Sequence, residues 1–285
     1  MKLLVFGQTG QVATELAKRA PDAVFLGRDE ADLSDPAACE KAIRTHAPSA
    51  VINAAAYTAV DRAEEEEALA HQVNAIAPAA MAHACADMGI ALVHISTDYV
   101  FDGSGTAPLT PTDPVSPQNV YGRSKLAGEE AITQAGGTHA ILRTSWVFSA
   151  YGGNFVKTML RLSETRDALS IVDDQIGGPT AAADIAAACL SIAEKLQADP
   201  AKSGTYHFSG APDASWKDFA EAIFDMAARP VAVSGIATSD YPTPASRPLN
   251  SRLDCTETET VFGIKRPDWR AGLKAVLKDL GVLSA

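Results

Sequence analysis

Near its start the chain reads Lys2-Leu-Leu-Val-Phe-Gly-Gln-Thr-Gly10, a short apolar run that ends in a glycine turn and leads into a helical sequence. Such a turn brings backbone N–H groups at the start of a helix close to a phosphate. Ala13 stands where the commoner dinucleotide fingerprint has its third glycine. A glycine turn alone needs no ligand. Its place directly after an apolar strand favours a pyrophosphate site, with contacts from Gly7, Thr9, Gly10, Gln11 and Val12.

Short apolar runs alternate with helical stretches through the first half of the chain. The runs cover residues 3–6, 23–26, 50–53, 91–95 and 140–144. This alternation predicts an α/β fold, a doubly wound Rossmann-type parallel sheet with helices on both faces. After Thr144 the pattern becomes less regular, which predicts a smaller C-terminal α/β lobe for the substrate. We expect an NAD(P)-binding domain over residues 1–145, completed by parts of 181–200, and a lobe formed by residues 146–180 and 201–285.

Several helix ends carry cap signals. Asp35-Pro36 is typical of a helix start, and Gly89 of a left-handed helix end. Ser215 is typical of an N-cap, and Glu257 would complete a capping box at the start of a helix over residues 254–262. The apolar patterning also predicts helices over residues 154–163, 181–196 and 268–280.

The composition is that of a globular protein. Hydrophobic residues make up 47% and charged residues 21% of the 285 residues, and no apolar run is long enough to span a bilayer. The start enters the glycine turn too soon for a signal peptide, so we expect a cytoplasmic protein without a membrane partner. The net charge of −11 argues against nucleic-acid binding and requires local Arg or Lys for an anionic substrate. The acidic run 64–67 is interpreted as a solvated helix face.

Arg28 follows the second predicted strand, where an acidic residue commonly binds the ribose 2′-hydroxyl of a dinucleotide. An Arg at this place is suited to a 2′-phosphate, so NADPH is the expected cofactor and NADH the alternative. An ordinary surface Arg would give the same sequence. Asp32 and Leu33 are candidate contacts of the adenine, since a carboxylate accepts from its amino group and Leu packs on the ring. Room for a flat ring, or for a close helix crossing, is left by Ala54, Ala55 and Ala56.

Tyr121 and Lys125 lie four residues apart and therefore share one face of a predicted helix. The Lys125 ammonium, with an oxidised nicotinamide ring, would lower the pKa of the Tyr121 phenol from about 10 towards neutrality. Thr97 stands at the carboxyl end of a predicted buried strand and would hold a carbonyl by a second hydrogen bond. A helix-capping Tyr and a solvent-exposed Lys are the structural alternative. With the glycine turn, the three residues predict a carbonyl reductase.

Longer motifs cover nearly the whole chain and together resemble the extended short-chain dehydrogenase/reductase family. Within that family they are similar to the reductases of dTDP-linked 4-keto sugars. The most specific motifs are Ser96-Thr-Asp-Tyr-Val-Phe-Asp-Gly103 and Arg247-Pro-Leu-Asn-Ser251. The other matching motifs are residues 7–11, 53–61, 73–74, 121–125, 143–147, 153–156, 174–175, 178–180 and 215–216.

The resemblance implies a reaction and a set of binding residues. The reaction is NAD(P)H-dependent reduction of the 4-keto group of dTDP-6-deoxy-L-lyxo-4-hexulose to dTDP-L-rhamnose, with Tyr121 as the proton donor. Thr97, Tyr121 and Lys125 are then the catalytic set, and the last two contact the cofactor together with Thr58. Arg247 is the expected partner of the diphosphate, since a guanidinium binds phosphate oxygens in pairs. The expected substrate contacts are Val60, Thr97, Asp98, Tyr99, Trp146, Asn154, Arg247 and Asn250.

Two other functions stay open from the sequence. A non-catalytic NADP-binding regulatory subunit would use the same fold, although it would be free to lose Tyr121 and Lys125. A reductase that delivers hydride to the other face of the ketone would form the C4 epimer, dTDP-6-deoxytalose. The resemblance also implies a homodimer. Some members bind Mg²⁺ between subunits, and Glu15 matches one ligand, but neighbouring acids are missing around Ala183-Asp184, so no metal site is predicted.

Overall fold

A six-stranded parallel sheet forms the centre of the structure, a computed structural model that describes residues 1–283. In chain order, the strands of the protein are β1 (Leu3–Phe6), β2 (Val24–Leu26), β3 (Ala50–Asn53), β4 (Ala91–Thr97), β5 (His139–Thr144), β6 (Val147–Phe148), β7 (Ala168–Val172), β8 (Ile176–Gly177), β9 (Thr180–Ala181), β10 (Gly204–His207), β11 (Ala214–Ser215), β12 (Ala232–Ile236) and β13 (Asn250–Ser251). The central sheet has the order β2-β1-β3-β4-β5-β10, and every neighbouring pair is parallel. The predicted doubly wound α/β fold is therefore confirmed.

Helices cover both faces of this sheet. In chain order the helices of the protein are α1 (Gln11–Arg19), α2 (Pro36–His46), α3 (Val60–Ala63), α4 (Glu67–His71), α5 (Ala77–Met88), α6 (Val120–Gln134), α7 (Phe155–Leu162), α8 (Ala182–Ala198), α9 (Trp216–Met226), α10 (Thr256–Phe262) and α11 (Trp269–Asp279). Of these, α7, α9 and α11 pack in a separate core rather than on the central sheet. Leu16 of α1 and Ile185 of α8 belong to the core on one face, and Ile43 of α2 and Met81 of α5 to the core on the other. Because both faces are covered, β1 and β3 are apolar and buried almost throughout.

The strand order changes direction at β1, and this decides where a ligand can bind. The chain passes from β1 to β2 on one side and later returns to β3 on the other side of β1. Phe6 and Asn53 are register partners at the carboxyl ends of β1 and β3. Helices leave such neighbouring strands in opposite directions and open a crevice, which is where open α/β sheets bind their ligands.

Residues after Thr144 form a second, smaller group of elements. β7 pairs with β12, β8 lies between β11 and β13, and β6 pairs with β9. A separate core that includes Phe219, Trp269 and Leu273 holds this lobe together. One part of the predicted division needs correction, because β10 was assigned to the lobe but pairs with β5 at the edge of the central sheet. Within residues 1–283, no helix combines the length and apolar character needed to cross a membrane.

The predicted helix ends agree with the structure at most positions. Asp35 accepts a hydrogen bond from the backbone N–H of Ala38, and Gly89 has a φ of +65°. Ser215 forms a reciprocal capping box with Asp218. The capping box at Glu257 is wrong, because α10 begins at Thr256 and has no side-chain N-cap. The sequence placed that helix start two residues too early.

Candidate active site

The glycine turn after β1 is held against the loop that follows β3. Gly7 has a φ of +111°, and a Cβ on it would lie 3.3 Å from the backbone carbon of Ala54. Its N–H donates to the carbonyl of Leu26 at 3.0 Å, which fixes the turn to the end of β2. Gly10 then precedes α1, and no side chain caps the first N–H groups of that helix. The turn therefore offers free backbone donors beside the crevice, as a pyrophosphate requires.

A cleft of about 770 Å³ begins at this turn and continues along the carboxyl ends of β1 to β5 towards the lobe. It brings together every predicted cofactor residue and most of the predicted substrate residues. Those that line it are Gly7, Thr9, Gly10, Gln11, Val12, Arg28, Asp32, Leu33, Ala54, Ala55, Ala56, Thr58, Val60, Thr97, Asp98, Tyr99, Tyr121, Lys125 and Trp146. The lining runs from the glycine turn to Trp146 of the lobe. A dinucleotide can therefore bind at one end of the cleft and a second ligand at the other.

The end of the cleft near β2 has the groups expected around an adenosine. Arg28 is exposed at its rim, and Leu33 is buried. The Asp32 carboxylate accepts from the Ser34 N–H at 2.8 Å. This hydrogen bond, with a smaller contribution from the charge of Arg28, holds the pKa of Asp32 below its ordinary value. The charged carboxylate of Asp32 and the guanidinium of Arg28 thus lie at the end of the cleft where the adenine and its ribose are predicted to bind.

Two side chains from outside α6 fix the start of the helix that carries Tyr121. Asn119 is its N-cap and accepts from the Gly122 N–H at 2.7 Å. Glu64 reaches from the acidic run and accepts from the Val120 N–H at 2.8 Å. Glu64 is exposed, as the interpretation of the run as a solvated face expects, but residues 64–66 lie between α3 and α4 rather than on a helix face. Because Asn119 is the N-cap, Tyr121 is not a capping residue. Tyr121 lines the cleft instead.

Burial, rather than Lys125, decides the acidity of Tyr121. Burial raises the pKa of the Tyr121 phenol to about 12, while a hydrogen bond with Thr97 opposes the shift and the charge of Asp98 adds to it. The predicted lowering by Lys125 is not present in the protein alone. The physical reason is that Lys125 directs its Nζ elsewhere, 2.8 Å from the Ile95 carbonyl and 3.0 Å from Nε2 of His94.

Thr97 lines the cleft and is hydrogen-bonded within the chain. Its Oγ1 donates to the Asp98 carboxylate at 3.0 Å and accepts from the Tyr99 N–H at 3.2 Å. A hydroxyl has one proton, and in this geometry it is directed at Asp98. The predicted hydrogen bond from Thr97 to a carbonyl would need the hydroxyl to rotate, and it stays a prediction. Burial raises the pKa of the Asp98 carboxyl to about 6, against hydrogen bonds from Ser251 and Thr97.

Lys125 is fully buried, which excludes the solvent-exposed alternative. Burial lowers its pKa from 10.5 to about 8, and the charge of Glu129 opposes that shift. Glu129 is itself paired with Arg143 at 2.6 Å, so little of its charge is left for Lys125. Burial therefore brings the pKa of this amine down towards neutral pH.

An aromatic wall closes the lobe side of the cleft. The indole of Trp146 is stacked on that of Trp216, with ring centroids 3.6 Å apart and planes 9° apart. Trp146 has a φ of +50°, a backbone strain that the surrounding packing must hold. Gly177 permits the arrangement, because a Cβ there would lie 3.0 Å from the Trp146 ring. Trp216 is in turn fixed by a 3.0 Å hydrogen bond from its Nε1 to Gln175.

Three predicted substrate residues do not line the cleft. Asn154 caps α7 and donates to Gln11 at 3.0 Å, so it braces the glycine turn. Asn250 is buried and donates to the carbonyl of Ala107 at 2.9 Å. The amide groups of both are engaged within the chain, and neither lines the cleft. Their predicted substrate contacts stay predictions.

Arg247 is the third of these residues. Its guanidinium forms a 2.8 Å ion pair with Asp61 and a 2.8 Å hydrogen bond with the carbonyl of Ala245. Asp61 belongs to α3, and Arg247 lies in the loop before β13, so the pair ties that loop to the first half of the chain. The predicted diphosphate partner thus already has an internal carboxylate partner, which a phosphate would have to replace.

The structure adds residues that the sequence interpretation missed. His94 lies beside Lys125, and Trp216 supports Trp146. A signal existed for His94, since it is the polar residue within the apolar run of β4. Trp216 stood in a quoted motif but was given no role. Gly152 and Gly153, from the loop before α7, also line the cleft.

Glu15 does not show a metal-binding arrangement. Its carboxylate forms ion pairs with Arg19 at 2.5 Å and with Lys18 at 3.3 Å. Throughout residues 1–283 there is no cluster of three or more His, Cys, Asp or Glu side chains suited to a metal ion.

Comparisons with known proteins identify the family of the chain. A family model described as RmlD substrate binding domain matches residues 1–282. A dTDP-4-dehydrorhamnose reductase of Sinorhizobium fredii is 44% identical over 97% of this chain and 97% of its own length. The crystal structure of a dTDP-4-dehydrorhamnose reductase from Clostridium acetobutylicum superposes with a TM-score of 0.92 at 36% identity, covering 99% of this chain and 100% of the other. One from Bacillus anthracis in complex with NADP has a TM-score of 0.90 at 35% identity, covering 98% and 100%.

Proposed function

Because the chain belongs to the RmlD substrate binding domain family, we propose that it is an NADPH-dependent oxidoreductase that reduces the 4-keto group of dTDP-6-deoxy-L-lyxo-4-hexulose to form dTDP-L-rhamnose. Relatives that align along almost its entire length are dTDP-4-dehydrorhamnose reductases. One observation carries the proposal. A single cleft joins a dinucleotide-type glycine turn to Thr97, Tyr121 and Lys125.

The glycine-turn end of the cleft fits the cofactor. NADPH, when bound, supplies the hydride that the C4 carbon of the sugar accepts. Gly7 and Gly10 would receive the pyrophosphate, and Arg28 at the rim is suited to the 2′-phosphate. The complex of the Bacillus anthracis relative with NADP supports the same cofactor. We therefore propose NADPH as the preferred donor and NADH as a poorer one.

Tyr121 would donate the proton. As hydride reaches C4, negative charge develops on the carbonyl oxygen, and a positioned acid stabilises it. With a pKa raised by burial to about 12, the Tyr121 phenol stays protonated at neutral pH and is in the form that donates. Thr97 would orient that phenol while Asp98 holds the Thr97 hydroxyl. Lys125, one turn further along α6, would bind the nicotinamide ribose and offset the phenolate charge.

The sugar would lie between the Tyr99–Tyr121 pair and Trp146. The rings of Tyr99 and Tyr121 meet edge to face at 5.5 Å, and Trp146 faces the cleft from the lobe. An aromatic face packs well on the apolar side of a hexose, and its orientation would decide which face of the ketone accepts hydride. The names of the relatives favour the rhamnose product over the 6-deoxytalose epimer.

We also propose that the protein works as a homodimer in the cytoplasm. The support is the family resemblance and the soluble nature of the proposed substrate and cofactor. Analytical ultracentrifugation at micromolar concentration would test the dimer, and a monomer at all concentrations would contradict it.

The decisive experiment mixes the purified protein with NADPH and the 4-keto sugar nucleotide and follows absorbance of the reduced nicotinamide. We expect oxidation of NADPH that depends on the sugar, and NMR of the product should show the C4 configuration of rhamnose. A reaction without sugar controls for idle oxidation, and a parallel reaction with NADH measures cofactor preference. Binding of NADPH without turnover of proven substrate would support the regulatory alternative, and a 6-deoxytalose product would replace the assigned stereochemistry.

A further inference from the structure

A chain of three buried polar side chains connects the cofactor loop to the catalytic helix. Asn53 ends β3, His94 lies in β4, and Lys125 lies in α6. All three are almost completely shielded from solvent. Nδ2 of Asn53 is 3.1 Å from Nδ1 of His94, and Nε2 of His94 is 3.0 Å from Nζ of Lys125. The hydrogen bonds among these three side chains determine which of their atoms carry protons.

The first link fixes the tautomer of His94. Oδ1 of Asn53 accepts from the backbone N–H of Ala55 at 3.2 Å, so the amide NH₂ of Asn53 faces His94. Nδ1 of His94 must then be an acceptor. Burial, together with the charge of Lys125, holds the pKa of His94 well below its ordinary value, so the ring is neutral. A neutral ring without a proton on Nδ1 carries it on Nε2.

The second link is then directed at Lys125. The Nε2–H of His94 points to Nζ, but an ammonium has only donors and no lone pair to accept that hydrogen. A neutral amine does have one. The Ile95 carbonyl, 2.8 Å from Nζ, accepts an N–H from either form of Lys125 and does not discriminate between them. His94 is therefore the neighbour that distinguishes the charged from the uncharged amine.

We propose that His94 is a positioning residue of the reductase: held as its Nε2–H tautomer by Asn53, it disfavours the ammonium form of Lys125. It thereby sets the pH at which the amine loses its charge and the upper pH limit of turnover. The role in turnover rests on the proposed function, whereas the tautomer and the charge state do not.

Other titratable and charged groups near Lys125 also affect the charge of its amine. Glu129, one turn along α6, favours the ammonium, but Arg143 engages both of its carboxylate oxygens. Tyr121 is neutral below its raised pKa of about 12, and Asp98 acts on it from the end of β4. Burial has the largest effect on the pKa of Lys125 and lowers it, while the charge of Glu129 opposes that shift. By the proposal, the Nε2–H of His94 would act in the same direction as burial.

NMR of protein labelled with ¹⁵N-histidine tests the tautomer without any variant or substrate. We expect His94 to carry its proton on Nε2, with Nδ1 unprotonated. His207 is the internal control, because it is equally buried but its Nδ1 faces the Leu109 carbonyl at 2.9 Å and must be the protonated atom. The two buried rings should therefore show opposite tautomers. A proton on Nδ1 of His94, or a charged ring, would overturn the proposal.

The pH dependence of turnover tests the consequence. In His94→Gln the amide reaches the position of Nε2 and can present an oxygen to the ammonium, so the alkaline limb of kcat should move up by about one pH unit. His207→Gln removes an equally buried ring away from the cleft, and its limb should stay in place whatever its thermal stability. An unchanged limb in folded His94→Gln would refute the role.

Direct NMR titration of Lys125 in ¹⁵N-lysine protein separates the two proposals. The titration midpoint of Nζ should rise in His94→Gln and stay unchanged in His207→Gln, even in a protein that turns over no substrate. If the midpoint moves but no activity is found, the proposed function fails and the inference about His94 stands. If activity is present and the midpoint does not move, the inference fails alone.

Discussion

At the scale of single residues, the phenol of Tyr121 is useful because its surroundings keep the proton on it. We expect Tyr121→Phe to lower kcat at least about a hundredfold while the affinity for NADPH stays nearly the same, since only the transition state uses the proton. Tyr206→Phe is the matched control, because its hydroxyl bonds the Lys202 carbonyl away from the cleft. Turnover by Tyr121→Phe near the wild-type rate would show that another group is the acid.

Asp98 provides a second residue-scale prediction, on stability. Its folded pKa, raised by burial to about 6, exceeds the ordinary value of 3.8, so the folded protein binds that proton more tightly than the unfolded chain. The stability from the protonated carboxyl is complete below about pH 4 and is lost as the pH rises through 6, a loss of up to about 3 kcal/mol. We expect Asp98→Asn, which keeps an oxygen for Thr97, to be the more stable protein at pH 7.5 and equal to the wild type near pH 3.5.

Denaturant unfolding across this pH range measures the effect. Asp102→Asn is the control of opposite sign, because hydrogen bonds from Ser104 lower the pKa of the exposed Asp102 carboxyl. That variant should lose a little stability at neutral pH. A less stable Asp98→Asn at pH 7.5 would mean that the buried carboxylate makes contacts that an amide cannot replace.

At the scale of elements, the position of α6 depends on close contacts with two neighbouring segments. A Cβ on Gly122 would lie 2.3 Å from the Tyr99 carbonyl oxygen, and one on Gly128 would lie 2.1 Å from that of Asn74. Asn74 belongs to a π-helical turn at residues 72–76, and it also clamps the backbone of Tyr57 by two hydrogen bonds. The position of the helix that carries Tyr121 and Lys125 therefore depends on close backbone contacts as well as on side-chain packing.

Gly128→Ala tests this packing. Alanine gains about 1 kcal/mol over glycine inside a helix, but a clash with a backbone oxygen cannot be relieved by a rotamer change and should cost about 1–3 kcal/mol or more. We expect a net loss of stability and a lower kcat/KM, because α6 must move and both catalytic side chains move with it. Glu130→Ala, on the exposed face of α6, should change neither. Thermal unfolding and steady-state kinetics together check both outcomes.

At the scale of the whole molecule, the Asp61–Arg247 ion pair joins the loop before β13 to the first half of the chain. The Asp61 side chain is 43% exposed, so the pair itself contributes little to stability, about 0–1 kcal/mol. A diphosphate carries more charge and would compete for the same guanidinium. Opening of this contact would then accompany substrate binding.

Two variants separate the structural from the binding role of Arg247. We expect Arg247→Ala to raise the KM for the sugar nucleotide about tenfold or more with little change in kcat, as the loss of a bidentate phosphate contact would. Asp61→Asn frees the guanidinium and should lower KM or leave it unchanged. If both variants raise KM equally, the ion pair positions the loop and Arg247 does not bind the diphosphate.

Much of the fold and part of the site follow from local sequence. The Gly7 turn, the strand ends at Asn53 and Thr97, and the shared helix face of Tyr121 and Lys125 are local because each depends on neighbours within a few residues. The parallel sheet then brings those ends to one edge. For this reason the predicted cofactor residues line one cleft.

The tertiary structure alone decided which polar groups are already engaged and which are shielded from water. Distant parts of the sequence supply the partners of Arg247, Asn154 and Asn250. No local sequence pattern indicates these contacts. The pKa values of the catalytic groups also depend on the tertiary structure. Burial raises the pKa of Tyr121 and lowers that of Lys125. For Tyr121 this is opposite to the direction expected from its spacing to Lys125. The sequence by itself determined where the catalytic groups stand along the chain. Their charges and partners depend on desolvation and on non-local contacts, which exist only in the folded protein.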